Sequence, residues 1–251
     1  MLLQGKNAII TGAAAGIGLG IAERMVEEGA NVILADIDEE GGRKLEGKLR
    51  AGGAKAWYVK VDVRDVESIR RMLKSAIAAA GPIDILVNNA GVTDRIGKLD
   101  MTEEQWDWIQ SINTRGLFFC LQVVAAHMRE RRQGKIVNMS SIGGKGCRGT
   151  SNAGYAASKA AAIAIARVAA AELGAYNINV NSVCPGPTRT SMLGNLEEVS
   201  AEVMTAVKES AVLKRINQPE DIANAVIFLS SSLANNITGQ SLNVDNGVVW
   251  D

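Results

Sequence analysis

The sequence predicts a single α/β domain built on a doubly wound parallel sheet of about seven strands, with helices on both faces. Short runs rich in β-branched residues alternate with longer segments of helical periodicity, so crossover helices rather than hairpins connect the strands. All four prolines of the 251-residue chain stand at the boundaries of these segments. The chain contains no internal repeat or linker, which favours one domain spanning residues 1–251.

The predicted elements follow one another in regular order. The strand candidates are residues 8–10, 32–35, 57–61, 83–87, 135–139, 178–183 and 241–244. Helical periodicity is clearest in residues 17–28, 66–79 and 222–229. Pro82 follows Gly81 at the start of the fourth strand, and Pro219 stands where the first turn of a helix accepts proline. Residues 189–215 mix polar and apolar side chains between two strand-helix units, and we expect them to form a small helical lid over a substrate.

Composition and charge exclude several classes of protein. The 27 basic and 27 acidic residues give a net charge of zero with no long run of either sign, so neither nucleic acid nor an anionic membrane surface is an expected partner. The longest apolar stretch, residues 159–172, is too short to span a bilayer. The first residues leave no room for a signal peptide before the first strand. We therefore expect a cytoplasmic protein.

The cysteine and histidine content also argues against metal sites and histidine-dependent catalysis. The three cysteines, at positions 120, 147 and 184, form no CxxC pair, which argues against a structural zinc and against a disulfide framework. His127 is the only histidine and lies in a helical stretch. We expect no metal site and no histidine-dependent catalytic triad.

The segment TGAAAGIG, residues 11–18, follows the first strand and opens the first helix. Backbone amides and the helix dipole at such a turn can receive a pyrophosphate, and glycines allow the backbone to approach it. The spacing is GxxxGxG rather than GxGxxG, so a glycine-rich turn that binds nothing remains the alternative for this segment alone. The residues predicted to contact a dinucleotide here are Gly12, Ala15, Gly16, Ile17 and Gly18.

Asp36 stands at the end of the second strand, 18 positions after Gly18. An acid there accepts hydrogen bonds from the adenosine ribose and repels a 2′-phosphate. Neither Ala15 in the loop nor Ile37 after the acid supplies a basic partner for such a phosphate. We therefore expect NAD rather than NADP, with a simple strand-end cap as the alternative role of Asp36.

With Tyr155 and Lys159 added in a YxxxK spacing, the sequence resembles the short-chain dehydrogenase/reductase family along nearly its whole length. The loop signature TGxxxGxG and the YxxxK signature occur in the family's order. Further matches are Asp62-Val63, Asn88-Asn89-Ala90-Gly91, Asn113, Ser140-Ser141, Asn181, Pro185-Gly186 with Thr190, Thr238-Gly239-Gln240 and Val244-Asp245. Each match is weak alone, whereas the ordered set is specific. The resemblance implies a Rossmann-like fold and an oxidoreductase.

The resemblance also implies roles for individual residues. The implied catalytic residues are Asn113, Ser141, Tyr155 and Lys159, with Asn113 holding a water for proton relay and Ser141 bonding the substrate oxygen. Besides the phosphate loop, Asp36 and Ile37 are implied cofactor contacts. The resemblance also places Asp62 and Val63 at the adenine. The remaining implied cofactor contacts are Asn89, Ala90, Gly91, Tyr155, Lys159, Pro185, Gly186, Thr188 and Thr190. Two of these segments also have a purely structural alternative. Asn88-Asn89 could be a plain turn at a strand end, and Pro185-Gly186-Pro187 could be a rigid loop.

The chemistry of alcohol oxidation fits these residue types. The hydroxyl must lose a proton while the nicotinamide accepts a hydride, and Tyr155 supplies the base. A phenol with an ordinary pKa of about 10 needs its anion stabilised at neutral pH. Lys159 lies four residues further along, one helical turn away, and its ammonium stabilises the phenolate. A surface pair of tyrosine and lysine is the alternative for these two residues taken alone.

Two departures from the family pattern are visible. Ser141 precedes Tyr155 by 14 positions, about one more than the family pattern, which leaves Ser140 and Ile142 as competitors for the catalytic position. Counting from the end of the strand at 135–139, as in the family pattern, places Ser141 at the catalytic position. Asn246 stands where the family often has glycine, which affects a turn or a subunit contact rather than the chemistry.

The substrate is the least constrained part of the prediction, because loops grafted on a common core supply its contacts. Residues 93–98, 143–152 and 189–215 carry several basic and hydroxyl side chains, so we expect a small polar secondary alcohol or ketone such as a polyol or sugar acid. Ser141, Arg148 and Tyr155 are the expected substrate contacts, Arg148 for an anionic group.

The sequence leaves two other functions open. A reductase of carrier-bound 3-oxoacyl esters resembles the chain in fold and catalytic residues, although such enzymes usually prefer NADP. A non-catalytic dinucleotide-binding protein is the alternative from another class, against which the presence of both Tyr155 and Lys159 counts. The family and the apolar segment 244–250 predict a homotetramer.

Overall fold

A computed structural model describes residues 1–94, 96–97, 99–146, 151–190 and 201–250 of the chain. Seven strands run through them: β1 (Asn7–Thr11), β2 (Asn31–Asp36), β3 (Ala56–Lys60), β4 (Ile85–Asn88), β5 (Gly134–Met139), β6 (Ile178–Pro185) and β7 (Ser241–Val244). The α-helices are α1 (Gly16–Glu27), α2 (Glu39–Ala51), α3 (Val66–Ala80), α4 (Glu103–Gln110), α5 (Leu117–Arg131), α6 (Ala153–Leu173), α7 (Ala201–Glu209) and α8 (Pro219–Ser230). A π-helical turn, Ser111–Gly116, joins α4 to α5.

The strands form one parallel sheet in the order β3-β2-β1-β4-β5-β6-β7. The predicted Rossmann-like fold, a doubly wound sheet of seven strands in a single domain, is confirmed. The chain builds outward from β1 to β3, then returns to the other side of β1 and builds outward again from β4 to β7. Adjacent crossovers therefore diverge between β1 and β4, which opens a crevice at the carboxyl ends of these two strands.

Both faces of the sheet are buried, as the near-continuous apolar runs of its central strands require. Alternate residues point to opposite faces, so Ile10 and Leu34 pack on one side with α1 and α8, and Ile9 and Ile33 pack on the other with α3, α5 and α6. Two helical layers thus hold the sheet rigid from both sides, and the strand ends keep fixed positions around the crevice.

Most strands begin and end within two residues of the expected positions, and two segments need comment. The fourth strand begins at Ile85 instead of residue 83, because the Ile83 amide donates at 3.2 Å to Nε2 of His127 in α5. In the segment 189–215, α7 supplies helix as expected, but residues 191–200 lie outside the described residues. The lid as a whole stays a prediction. No helix within the described ranges is both long and apolar enough to cross a membrane.

The turn from β1 into α1 generates a test of the fold. A Cβ on Gly18 would overlap the carbonyl oxygen of Gly12 and lie 2.6 Å from Nδ2 of Asn89. We expect Gly18→Ala to lower the free energy of unfolding by about 2 kcal/mol or more, since the backbone of the turn must shift. Chemical denaturation followed by circular dichroism measures this.

Gly47→Ala is the matched control. Gly47 lies on the exposed face of α2, and a Cβ added there would have no neighbouring atom within 4 Å, so this alanine should raise the free energy of unfolding by about 0.5–1 kcal/mol. Equal stability of Gly18→Ala and wild type would contradict the close packing of this turn.

Candidate active site

A cavity of about 1260 Å³ opens at the carboxyl edge of the sheet. Residues at or just after the ends of β1 to β6 line it, together with α4, α6, α7 and the C-terminal segment 248–250. Its position coincides with the crevice between β1 and β4. The location of the site is therefore a consequence of the sheet topology.

The start of α1 is prepared for an anion. The helices α2, α3, α4 and α6 each begin with a side-chain cap, from Asp38, Asp65, Thr102 and Asn152. The N-cap residue of α1 is Ala15, which has no side chain to accept from the first amides, and no acidic residue lies in the first turn. These amides face the cavity at Ala15, Gly16 and Ile17. A pyrophosphate would satisfy them and interact favourably with the helix dipole.

Asp36 closes the cavity at the end of β2. Its Oδ2 accepts a hydrogen bond from the Ala14 amide at 2.8 Å, and its Oδ1 accepts from the Asp38 amide at 3.0 Å. The carboxylate is therefore held rigidly between the phosphate loop and the start of α2. Ile37 beside it lines the cavity with 55% of its surface exposed. This wall combines one fixed negative charge with an apolar side chain.

Asp62, the predicted adenine contact, already has a partner. Arg64 donates to it through Nη2 at 2.7 Å and through Nε at 3.0 Å, and the Arg64 amide adds a bond of 2.9 Å. Arg64 holds the pKa of the Asp62 carboxyl below its ordinary value, although burial opposes this. Both residues line the cavity. Arg64 was not among the residues predicted from the sequence, because the family motif gives no signal for it.

Asn89 joins the two strands that flank the crevice. Its Nδ2 donates to the carbonyl oxygens of Thr11 and Gly12 at 3.0 and 2.9 Å, and its amide donates to Thr11 Oγ1 at 3.0 Å. The Ala90 amide donates to the same hydroxyl at 3.1 Å. The loop after β4 is thereby fixed to the phosphate loop after β1.

Asn113 lies in the π-helical turn and does not line the cavity. Its Oδ1 accepts from the Val92 amide at 2.8 Å, while its Nδ2 donates to the Val92 carbonyl oxygen at 2.8 Å and to Ser158 Oγ at 3.0 Å. The side-chain amide is thus used to fix the loop after β4 onto α6. The role of Asn113 in proton relay stays a prediction.

Ser141 and Tyr155 meet at the floor of the cavity. Burial raises the pKa of the Tyr155 phenol, and a hydrogen bond with the Ser141 side chain lowers it. Ser141 Oγ also accepts from the Gly143 amide at 3.0 Å. The hydroxyl of Ser140, in contrast, donates to the Lys159 carbonyl oxygen at 2.6 Å, and Ile142 is buried among apolar side chains. Among the three competitors, the geometry favours Ser141.

Lys159 is 5% exposed and reaches the cavity from α6. Its Nζ donates to the Met139 carbonyl oxygen at 2.9 Å and lies 5.6 Å from the centre of the Tyr155 ring. Burial lowers the pKa of its ammonium from 10.5 to about 8, and the nearby Cys184 opposes the shift. The ammonium is therefore still mostly protonated at neutral pH, where its charge favours the phenolate form of Tyr155.

Most of the residues predicted from the sequence line this one cavity. They are Gly12, Ala15, Gly16, Ile17, Asp36, Ile37, Asp62, Val63, Asn89, Ala90, Gly91, Ser141, Tyr155, Lys159, Pro185, Gly186, Thr188 and Thr190. Gly18 packs beneath the phosphate loop instead, and Arg148 lies outside the described residues. In the described part of the chain, no group of three or more histidine, cysteine, aspartate or glutamate side chains is arranged to hold a metal.

The buried charge of Lys159 gives a prediction about stability. The unfolded chain keeps a proton on this lysine up to its ordinary pKa, whereas the native protein releases it near pH 8. Wild-type stability should therefore rise relative to Lys159→Met between about pH 7 and about pH 10, by at most about 3 kcal/mol. Urea unfolding at a series of pH values measures the difference.

Lys44→Met, on the exposed face of α2, is the control. Its free energy of unfolding should differ from that of wild type by a constant amount across the same pH range. If the difference in free energy of unfolding between wild type and Lys159→Met does not change with pH, burial of the Lys159 ammonium does not destabilise the protein.

Comparison with known proteins agrees with this site. A sequence family described as enoyl-(acyl carrier protein) reductase, of the short-chain dehydrogenase type, matches residues 12–249. The 3-oxoacyl-(acyl-carrier-protein) reductase of Thermotoga maritima is 38% identical over 250 residues, which cover 99% of this chain and 100% of that protein. The enzyme of the same name from Staphylococcus aureus strain Mu50 is 36% identical, covering 97% of this chain and 98% of that protein.

A solved structure described as gox2181 superimposes with a TM-score of 0.93 at 36% identity, covering 99% of this chain and 97% of that one. The site geometry and these similarities lead to one conclusion: the chain is an oxidoreductase that belongs to the short-chain dehydrogenase/reductase family.

Proposed function

We propose that the chain is a carbonyl reductase that uses a nicotinamide dinucleotide to reduce a 3-oxoacyl ester or thioester to the 3-hydroxy compound. The observation that carries the proposal is the meeting of Tyr155, Ser141 and Lys159 in one cavity with an uncapped helix start. The names of the curated relatives, 3-oxoacyl-(acyl-carrier-protein) reductase, support the substrate class.

The bound nicotinamide would supply or accept the hydride. Ser141 donates a hydrogen bond to the substrate carbonyl oxygen and holds it beside the phenol. Tyr155 then donates its proton to that oxygen as the hydride reaches the carbonyl carbon, and it takes the proton back in the reverse reaction. Lys159 stabilises the resulting phenolate through its charge. Positioning by Ser141 and charge stabilisation by Lys159 act together on the same proton transfer.

The walls of the cavity support an acyl substrate better than a polyol. Apolar side chains cover the part formed by α4, α7, the loops after β4 and β5, and the C-terminal segment: Val92, Trp108, Ile112, Ile142, Val207, Val248, Val249 and Trp250. The small polar alcohol expected from the sequence would leave this surface without a matching group. That expectation depended on the basic residues of three loops: of these, Lys145 lines the cavity and its Nζ donates to the Ser241 carbonyl oxygen at 3.2 Å, whereas Arg148 lies outside the described residues. Polyols and sugar acids are therefore the comparison set in the test.

The test of the proposed reaction is oxidation of reduced cofactor with a 3-oxoacyl thioester, followed by absorbance. We expect turnover on 3-oxoacyl esters and thioesters to exceed turnover on ketoses and other polyol-derived ketones. Tyr155→Phe should lower kcat by about 1,000-fold or more with little change in the Kd of the dinucleotide, because only the proton donor is removed. Faster turnover of polyols, in the reverse direction with NAD, would contradict the assigned substrate class.

The competing serines provide the matched pair of variants. Ser141→Ala should lower kcat by about 100-fold, whereas Ser140→Ala, which removes a bond to the α6 backbone, should change stability more than kcat. The reverse order of effects would assign the substrate contact to Ser140.

We infer that NAD is the preferred cofactor. The carboxylate of Asp36 is fixed where the family binds the adenosine ribose, and the neighbouring cavity wall is the apolar Ile37. A 2′-phosphate would meet a negative charge there with no basic side chain among the described neighbours Ala14, Ala15, Ile37 and Asp38 to offset it. The relatives' names do not specify a cofactor, so this preference depends on the pocket alone.

Asp36→Ala combined with Ile37→Arg should shift the ratio of NADP to NAD affinity by about tenfold or more in favour of NADP, because a repulsive charge is replaced by an attractive one. Fluorescence titration with NADH and NADPH measures both Kd values. Glu40→Ala removes a nearby acid that does not line the cavity and should leave the ratio unchanged. Tighter binding of NADPH than NADH by the unmodified protein would contradict the inference.

The homotetramer and the cytoplasmic location stay predictions. The expected partner is a small-molecule substrate, not nucleic acid or membrane.

A further inference from the structure

Two hydroxyl groups lie next to each other in the largely apolar wall of the substrate region. Thr93, in the loop after β4, and Ser151, just before α6, both line the cavity that contains Tyr155. Their oxygens, Thr93 Oγ1 and Ser151 Oγ, lie 2.7 Å apart in a mutual hydrogen bond. The pair therefore joins two separate segments of the chain at one point of the wall.

The neighbouring Asn152 fixes this pair. Its Nδ2 donates to Thr93 Oγ1 at 3.3 Å and to the Asp94 carbonyl oxygen at 2.9 Å, while its Oδ1 accepts from the Tyr155 amide at 2.7 Å. Asn152 is fully buried, so these bonds are protected from water. The hydroxyl pair is thereby held in a fixed relation to the first turn of the helix that carries Tyr155.

Counting hydrogens shows what the pair lacks. Two hydroxyls carry two hydrogens, and their mutual bond uses one. Asn152 does not take the second, because its Nδ2 is the donor to Thr93 Oγ1 and its Oδ1 bonds the Tyr155 amide and neither hydroxyl. Over the described residues, no other acceptor bonds to Thr93 Oγ1 or Ser151 Oγ. Among the described residues, one hydroxyl hydrogen of this pair therefore has no protein acceptor, and both side chains line the cavity.

We propose that Thr93 and Ser151 determine substrate specificity by donating this hydrogen bond to a second acceptor oxygen of the substrate, close to the carbonyl that Tyr155 protonates. The proposal rests on the proposed function and narrows it. A 3-oxo ester or thioester has such an oxygen, separated from the reacting carbonyl by one methylene carbon. A simple ketone lacks it and leaves the hydroxyl hydrogen unpaired, which costs binding free energy.

The test compares two substrates of the same shape in wild type and variants. Ethyl 3-oxohexanoate has the ester carbonyl, and 4-nonanone replaces the ester by methylene groups. For each variant, kcat/KM for the ester is divided by kcat/KM for the ketone. This ratio is then divided by the wild-type ratio, so that the difference in intrinsic reactivity between the two substrates cancels. The double variant Thr93→Val/Ser151→Ala leaves no hydroxyl hydrogen at this point of the wall and should lower the normalised ratio by about tenfold. Each single variant keeps one hydroxyl hydrogen and should lower the ratio less, and Thr93→Ser, which keeps both hydroxyls, should leave it at the wild-type value.

Three controls separate this role from a structural one. Ser111→Ala removes a hydroxyl that bonds the Trp108 carbonyl oxygen and does not line the cavity, so its ratio should equal that of wild type. The Kd of NADH should stay unchanged in all variants. Thr93→Val also loses the bond from Asn152, so thermal unfolding is used to show whether this variant folds normally. Ser151→Ala keeps the Asn152 side chain and its other partners.

Equal losses on both substrates, or an unchanged ratio in the double variant Thr93→Val/Ser151→Ala, would overturn the proposal. If wild type reduces neither ester nor ketone, the proposed function fails. If wild type reduces both and only the ratio fails to respond, the specificity role alone is wrong.

Discussion

The side chain of Asn89 fixes the loop after β4 to the phosphate loop after β1, at the point where the two halves of the sheet diverge. Parallel strands β1 and β4 are neighbours in space, but their crossovers lead to opposite sides, so the loops at their carboxyl ends tend to separate. Two bonds from Asn89 Nδ2 to the Thr11 and Gly12 carbonyls prevent this. The same contact leaves no room for a side chain at Gly12, whose Cβ would lie 2.8 Å from the Ala90 Cα. The phosphate loop, the α1 amides and the loop after β4 inherit their positions from this contact.

The catalytic end of the cavity shows a different balance, in which a charge is buried for function. Lys159 is almost completely buried and has a backbone carbonyl, not a carboxylate, as its hydrogen-bond partner. A carboxylate there would stabilise the folded protein, but it would also neutralise the field that the phenol of Tyr155 needs. The lowered pKa of Lys159 is thus a consequence of leaving the ammonium without a counter-ion inside the protein. Stability is reduced where the chemistry requires an unshielded positive charge.

The sequence predicted the fold, and it predicted which residues meet at the carboxyl edge of the sheet, for a physical reason. Strand ends, glycine turns and a short acid at the end of β2 are local features, and parallel topology brings every strand end to one edge. The pattern therefore identified Asp36 and the loop 12–18 without any knowledge of contacts between distant segments. Arg64 was not identified, because nothing in the sequence indicates that it bonds Asp62 in preference to solvent. Asn113 was identified, but its contact with Val92 depends on how the π-helical turn packs against α6.

The substrate region was predicted less well, because its wall comes from segments with no fixed relation in sequence. Trp108 reaches it from α4, Val207 from α7 and Trp250 from the C-terminal end, and no periodicity or motif connects these three. Their apolar character is the reason that we propose an acyl compound instead of the polyol expected from the sequence.

One buried residue nevertheless links this variable wall to the chemistry. Asn152 bonds the Tyr155 amide on one side and the loop carrying Thr93 and Asp94 on the other. Because the same amide caps α6 and anchors that loop, the acid/base group and part of the substrate wall are positioned by a single side chain. The segment between Ser141 and Tyr155 is about one residue longer than the family pattern, yet Ser141 still reaches Tyr155. The bonds of Asn152 therefore hold Thr93, Asp94 and the first turn of α6 in one fixed relation to Tyr155.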